Sequence, residues 1–409
     1  MLDDGNRLIA GSARRDITPE EGLLPLPFFG PICMEFIADR IHVRALYLEN
    51  KEDKTLFITF DMGEVPFVQE TLDFLQQQTG MKKESIFLSA THTHGVPFIG
   101  YELIPSTEEA KVVYRKWYEN IKRELIEAVQ EAINQKCPAS IGYAEGKSYI
   151  NVNRDEIIDG KAAVGNNYER PSDKTLSLVR VEDENKNLIA LLVNYAVHAV
   201  VTNGCMIGNG LGLGGDLPGR TSTTLEDQLE GVVMWTSGAA GDQNPRVMTN
   251  FGFDETSDVP KTKSLGEAGY MILDQLVSEH VRNILSVNQK LVCDKKEARI
   301  ISLEKKVFVR SKDTETSVPF TLKLLCLGNI ALMGISAEVP TTVGAKVQEV
   351  SDAEHTILVT HAQGCMGYTP DDWEYDHHTF EVDNALVSKG CAQPAFVQGF
   401  KEMFEEKCN

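Results

Sequence analysis

The chain has 409 residues, 42% hydrophobic and 24% charged, with 60 acidic against 40 basic side chains and a net charge of −20. That much apolar material supports a large core, while the acid excess disfavours nucleic-acid phosphates and anionic membrane surfaces. No apolar run approaches the ~18 residues needed to span a bilayer, and Met1–Arg7 lacks a basic-then-apolar leader, so the sequence reads as cytoplasmic without stable membrane insertion.

In chain order, β-branched and apolar runs predict strands at 55–61, 85–91, 176–181, 188–195, 232–236, 298–309, 320–327 and 330–335. Helical periodicity alternates with them at 67–79, 108–135, 261–286, 341–350 and 393–406. The 108–135 stretch sets apolar residues at helical intervals among many Lys and Glu, the pattern of an amphipathic surface helix. The alternation implies a layered α/β fold, and the consecutive strands of 296–335 imply a mixed sheet flanked by helices. No internal repeat, low-complexity tract or linker stands out, so residues 1–409 read as one domain. The segment 245–264 reads as a loop over a site. The eight cysteines are scattered without a CxxC pair, which predicts free thiols and excludes a zinc ribbon.

Chemistry-bearing motifs follow the strands. Ser89-Ala90-Thr91-His92-Thr93-His94-Gly95 ends one of them, and strand alternation places His92 and His94 on one face, a common start for a zinc site. Val193-Asn194-Tyr195-Ala196-Val197-His198 ends another, and ligand sites of α/β sheets gather beyond carboxyl strand ends. Alone, His198 also fits a hydrogen-bonded core residue. Gly210, Gly212 and Gly215 form a formal GxGxxG, read as a flexible glycine loop rather than a dinucleotide fingerprint because Pro218 follows closely. Asp216 fits either a substrate-side carboxylate or a helix N-cap. Ser237 lacks a nucleophile elbow. Glu338 sits between an apolar strand and a helix, where it either joins a site or caps the helix dipole. Tyr368 lies in a glycine-flanked turn. Beyond it, Trp373, Tyr375, His377, His378 and Phe380 make a loop that is a surface excursion or a substrate-binding rim.

Taken together the motifs resemble the neutral, non-lysosomal ceramidase family of zinc amidases. The resemblance runs from Asp16-Ile17-Thr18-Pro19 through Thr91-His92-Thr93-His94, Asn151-Val152-Asn153-Arg154, Tyr195-Ala196-Val197-His198 and Gly241-Asp242 to Glu338-Val339 and Gly367-Tyr368-Thr369-Pro370. It implies the family's catalytic-domain fold and one Zn2+ per chain held by His92, His198, Glu338 and Tyr368. It also implies oxyanion stabilisation by His94 and Arg154. This chain departs at Asn244, where the family has serine, and at Phe380, where it has a tyrosine that helps hold the substrate carbonyl. It also stops without the family's immunoglobulin-like C-terminal domain. The expected reaction is hydrolysis of an N-acyl bond in a small or amphiphilic substrate, with Asp216, Asn244, His377, His378 and Phe380 around it and His94 or Asp216 as base. An ester, lactone or glycosidic bond and a non-catalytic metal-stabilised binding protein are the alternatives. A homo-oligomer is left open.

Overall fold

The computed structural model describes residues 7–28, 32–101, 103, 106–208, 210–248, 251–253, 260–262 and 264–407. It is a mixed α/β structure in which one topology occurs three times. The first unit has strands Ile9–Asp16, His42–Glu49 and Lys54–Phe60 in antiparallel order. Helix Val68–Thr79 then crosses to a parallel fourth strand, Ile86–Ala90, and helix Glu108–Asn134 follows. The second unit repeats this with Cys137–Lys147, Thr175–Asp183, Leu188–Tyr195, helix Asp216–Leu229, parallel strand Val232–Ser237 and helix Glu267–Asn288. The third has Ile300–Arg310, Ser317–Leu327, Ile330–Ile335, helix Thr341–Gln348, parallel strand His355–Val359 and helix Ala392–Lys407. The expectation of no internal repeat is thereby corrected.

The first two units join through Ile9–Asp16 and Cys137–Lys147 into one eight-stranded sheet, the third forms a four-stranded sheet, and both sheets are packed on two faces. The inner faces share one core, to which the three units contribute Leu46, Leu48 and Phe57, then Val179, Leu192 and Met234, then Leu325, Leu332 and Ile357. The outer faces are covered by helices. On the first unit Tyr114, Trp117, Ile121 and Leu125 of Glu108–Asn134 meet Val43, Ala45 and Ile58. The equivalent helices of the other units bring Leu273 and Leu276, and Phe396 and Phe400, to their own sheets. This explains why fully apolar strands such as Leu188–Tyr195 and Ile330–Ile335 were readable from sequence, since strands buried on both faces lose alternation. Strands Ile9–Asp16, His42–Glu49 and Cys137–Lys147 are not marked by apolar runs because polar residues interrupt them, and His355–Val359 offers only the short run Ile357-Leu358-Val359.

Two local expectations change. Gly210–Leu213 is a strand pairing in parallel with Cys33–Ile37 rather than a flexible loop. A Cβ on Gly212 would lie 2.4 Å from the Tyr270 hydroxyl, so close packing selects the glycine. The expected excursion 245–264 contains a short hairpin, Phe251–Phe253 with Pro260–Thr262; Thr249, Asn250, 254–259 and Lys263 lie outside the described residues. Seven cysteines are unpaired and Cys408 lies outside the description. Among the described residues no helix is long and apolar enough to cross a membrane.

The first two units are tied by a buried ion cluster. Arg44, fully buried, donates through Nε to Glu226 Oε1 at 2.7 Å and through Nη1 to Asp61 Oδ2 at 2.7 Å. Removing the guanidinium strands two carboxylates in the interior. Arg44→Met is therefore expected to lower unfolding free energy by about 3–5 kcal/mol, read from denaturant unfolding curves. A loss below about 1 kcal/mol would show that the cluster carries little stability.

Candidate metal centre

Every residue of the centre follows the third or fourth strand of a unit, or leans on one that does. After third strands come Gly63 and Glu64, then His198, then Glu338. After fourth strands come His92 and His94, then Ala240, Asp242 and Asn244, then His361 and Tyr368. The loops interlock through backbone hydrogen bonds: His94 N–H to Ala199 O, His198 N–H to Gln243 O, Gly241 N–H to Val339 O, and Glu338 N–H to Gly367 O, at 2.8–3.0 Å. Carboxyl ends of parallel strands are where α/β sheets leave room for a site, and here three sets of ends meet.

Six of the predicted residues converge. His198 Nε2 lies 3.1 Å from Glu338 Oε2, His92 Nε2 lies 3.4 Å from the same oxygen, and His94 Nε2 lies 3.2 Å from His92 Nε2. The Tyr368 hydroxyl is 3.3 Å from His198 Nε2 and accepts from Arg154 Nη2 at 3.0 Å. Ring nitrogens of His92, His94 and His198 all lie within 4.8 Å of one another. The route of convergence differs from the expected one. The strand ends at Ala90, and His92 has φ of 58°, so a left-handed turn brings the two rings together rather than strand alternation.

The donor set fits a metal ion. His92 Nδ1 faces Gly63 O at 2.9 Å and His198 Nδ1 faces Ala240 O at 2.6 Å. A carbonyl only accepts, so each Nδ1 carries a hydrogen, and each Nε2 is left as the atom that would face a metal ion beside Glu338. That is the outer-shell arrangement that fixes the tautomer of a metal-binding histidine. Charge balance points the same way. Burial opposes ionisation of Glu338, yet His92, with hydrogen bonding from His198, holds its carboxyl well below the usual range. Burial opposes charge on His92 too, but Glu338 and then Glu64 lift it to about 10. His198 is pushed down to about 4 by burial and the nearby Arg154 guanidinium, and His94 falls well below its ordinary value through burial and its two neighbouring imidazoles. The buried carboxylate thus demands one positive charge at this spot.

Arg154 closes one side. Its Nε donates to Glu381 Oε1 at 2.7 Å and its Nη1 to Asn244 Oδ1 at 3.4 Å. Phe380 packs edge-on to Tyr368 with ring centroids 5.8 Å apart and beneath the guanidinium at 5.1 Å. Asp216 is elsewhere engaged: its carboxylate accepts from the backbones of Val201, Thr202 and Leu217 and from the Thr202 hydroxyl. It pins the loop after His198, so it is neither a substrate contact nor a base, and the N-cap is Gly215. His377 and His378 are exposed, His377 stacked on Trp373 at 3.9 Å, which corrects their placement in the pocket. Ser237 is buried against Thr91 O and takes no nucleophilic position.

Sequence reading missed Glu64, His361, Asp155 and Glu381. The first two carried a signal. Glu64-Val65-Pro66 recurs as Glu338-Val339-Pro340, and Thr91-His92-Thr93-His94-Gly95 recurs as Thr360-His361-Ala362-Gln363-Gly364. These are equivalent positions of the first and third units. His361 accordingly mirrors His92, sharing its left-handed backbone (φ 52°) and stacking on it at 3.8 Å, and its Nδ1 meets Glu64 Oε1 at 2.9 Å.

Comparison with known proteins bears on the family and the fold. Over residues 34–265 the chain matches the family model of the neutral/alkaline non-lysosomal ceramidase N-terminal region. It is 30% identical over 190 residues to neutral ceramidase B of Dictyostelium discoideum, covering 44% of this chain and 24% of that protein. It is 28% identical over 184 residues to neutral ceramidase of Drosophila melanogaster, covering 41% and 25%. The matches thus span about a quarter of the length of these relatives. The fold matches a crystal structure of neutral ceramidase from Pseudomonas aeruginosa with a TM-score of 0.76 at 16% identity, over 98% of this chain and 75% of that one. A ceramidase complexed with C2 matches with a TM-score of 0.72 at 14% identity, over 98% and 76%. With the family model matched across more than half of its length, the chain belongs to the neutral/alkaline non-lysosomal ceramidase family.

Proposed function

We propose that this chain is a zinc-dependent amidohydrolase that cleaves the N-acyl bond of a small or amphiphilic substrate. The observation that carries the reading is the convergence of His92 Nε2 and His198 Nε2, at 3.4 and 3.1 Å, on the single buried oxygen Glu338 Oε2. Nitrogen and carboxylate donors with a phenol beside them suit Zn2+ better than a hard cation. When bound, the ion supplies the Lewis acidity that makes water a nucleophile at neutral pH. The rest falls to the chain. Arg154, fixed by Glu381, presents its guanidinium beside Tyr368, where negative charge develops on the carbonyl oxygen during attack. His94, kept neutral by burial and its neighbours, adds a second polar group on the same side. The Gly63 and Ala240 carbonyls keep the two imidazoles from rotating.

A cavity of about 480 Å3 lies next to Glu64 and Cys365 rather than on the ligands themselves, and its lining by Val65, Phe67, Val68 and Leu103 together with the charged Glu70, Arg115 and Lys306 suits an amphiphilic substrate. Asn244 and Phe380 set this chain's carbonyl pocket apart from the pattern it resembles. For that reason esters and lactones belong in the same assay as N-acyl amides. Faster turnover of esters than of matched amides, each corrected for its spontaneous rate, would favour the ester reading.

Two outcomes follow. His198→Ala and Glu338→Ala are each expected to lose stoichiometric zinc by elemental analysis and to lower kcat by at least ~100-fold, as removal of a metal ligand does. Zinc retention with full turnover in both variants removes the assignment. Arg154→Leu is expected to keep the metal but lower kcat by ~10²–10³, equivalent to about 2.7–4 kcal/mol of lost transition-state stabilisation. A rise in KM at constant kcat would instead place Arg154 in ground-state binding.

A further inference from the structure

The ring of His92 has two supports that the other imidazoles of the centre lack. At its Nδ1 end, Glu64 Oε1 lies 3.4 Å away, beside the Gly63 carbonyl that already meets the same nitrogen. Across its face lies the His361 ring, stacked at 3.8 Å with the two planes 16° apart. The supports are joined to each other, because His361 Nδ1 lies 2.9 Å from that same Glu64 Oε1. The three side chains are only 2–4% exposed. The arrangement is an exchange between the first and third units. The carboxylate after the third strand of each faces the histidine after the fourth strand of the other: Glu338 with His92, and Glu64 with His361.

His198 offers the contrast. Its Nδ1 meets Ala240 O at 2.6 Å, and among the described residues Glu338 is the one carboxylate paired with its ring. A carbonyl is enough to place the hydrogen on Nδ1. A carboxylate beside that hydrogen adds negative charge, which makes the opposite nitrogen a stronger donor to a cation. Glu64 is placed to do this to His92 Nε2, the atom that approaches Glu338 Oε2. Stability alone gives little reason to bury the acid. A carboxylate taken out of water is costly unless it is well paired, yet Glu64 Oε2 has no hydrogen-bond partner, and among the described residues no Lys or Arg pairs with either oxygen. By proximity Glu64, His92 and His361 could themselves surround an ion. The hydrogen that Gly63 O requires on His92 Nδ1 keeps that nitrogen from binding one.

We propose that Glu64 and His361 are positioning residues of the zinc centre. Glu64 strengthens His92 as a ligand from the nitrogen that does not face the ion. His361 holds both the carboxylate and the plane of the imidazole. Neither is itself a ligand. The proposal rests on the zinc reading of His92, His198 and Glu338, and it deepens that reading by assigning the two histidines unequal support.

The test is zinc affinity of the full chain, measured by competition with a chromophoric chelator. Glu64→Gln keeps the volume and an acceptor for His361 but removes the charge. It is expected to bind zinc ~10–100-fold more weakly than the wild type. His361→Asn keeps a donor and tolerates the left-handed backbone (φ 52°) but has no ring to stack. It is expected to weaken zinc ~10-fold. With Co2+ in place of zinc, both variants are expected to shift the visible absorption bands that report the geometry of the ligands. A merely structural role would lower the thermal midpoint of the metal-free chain and leave the zinc affinity and the Co2+ spectrum of the folded protein unchanged, and that result overturns the proposal. Should Glu64→Gln fail to fold, His361→Asn decides by the same two readouts. Two zinc ions in the wild type, one of them lost in Glu64→Gln, would also overturn it, in favour of a second ion beside Glu64 and His361. Wild type that holds no zinc removes the metal reading and this proposal together. Wild type that holds zinc, with variants that hold it equally well, removes this proposal alone.

Discussion

The buried carboxylate of Glu338 is the constraint around which the centre is organised. It is 6% exposed, with His198 Nε2 3.1 Å and His92 Nε2 3.4 Å from its Oε2, while Tyr368 pairs with it through the backbone of its own loop. An anion in that position has to be matched by positive charge, and every neighbour is arranged to permit that. Gly63 and Ala240 fix the hydrogen on the far nitrogen of each imidazole, and Arg154 stands one residue further out. Remove the carboxylate and the imidazoles lose their common target, although each would keep its carbonyl.

The threefold repetition explains how such an arrangement can be assembled from distant stretches of chain. Each unit ends its third and fourth strands side by side, because a β-α-β crossover makes them parallel neighbours. The first two units join through Ile9–Asp16 and Cys137–Lys147 into one eight-stranded sheet, the third has a four-stranded sheet of its own, and packing the two around one core brings six strand ends together. The first and third units keep Glu-Val-Pro and Thr-His-x-x-Gly at these ends, whereas the second offers His198 after its third strand and a small-residue loop after its fourth. The repetition also produces a second carboxylate–imidazole pair, Glu64 with His361, stacked directly behind His92. One pair faces the centre, and its counterpart buttresses the ring of the first.

Much of this was legible in the sequence. Apolar strands buried on both faces and the histidines at strand ends could be placed closely, whereas the helix read at 261–286 begins only at Glu267 and the strand read at 320–327 begins at Ser317. The arrangement of helices and sheets was recognisable as layered α/β. Strands such as His42–Glu49 escaped because Arg44 in their middle looks like a surface residue until Asp61 and Glu226 are brought to it from 17 and 182 residues away. The role of Asp216 was misjudged for a related reason: a carboxylate near a predicted helix start gives no hint that three backbone N–H groups will converge on it. Glu381 was invisible because it acts only through Arg154, 227 residues distant. Single-residue chemistry shows in a sequence, but its partners appear only when the chain has folded.

Arg154 shows what these departures do to the site. Its three nitrogens are committed to Glu381, Asn244 and the Tyr368 hydroxyl, and its face lies over Phe380 and Tyr368. A guanidinium so held needs no reorganisation when charge develops beside it, and this is the condition under which a fixed dipole or charge stabilises a transition state most effectively. Asn244 supplies an acceptor that shares in this fixation. Phe380 supplies only a ring, so it offers no hydroxyl to a carbonyl, and the polar contacts on that side fall to Arg154 and Tyr368. The net charge on the arginine's surroundings is correspondingly important. Glu381 and Asp155 sit together beneath it, with burial and Glu381 pushing the Asp155 carboxyl up to about 9. In the proposed reaction the arginine has the His92, His198 and Glu338 group on one hand and a closed, acid-rich support on the other, so the carboxylates beneath it also bear on its field at a substrate carbonyl.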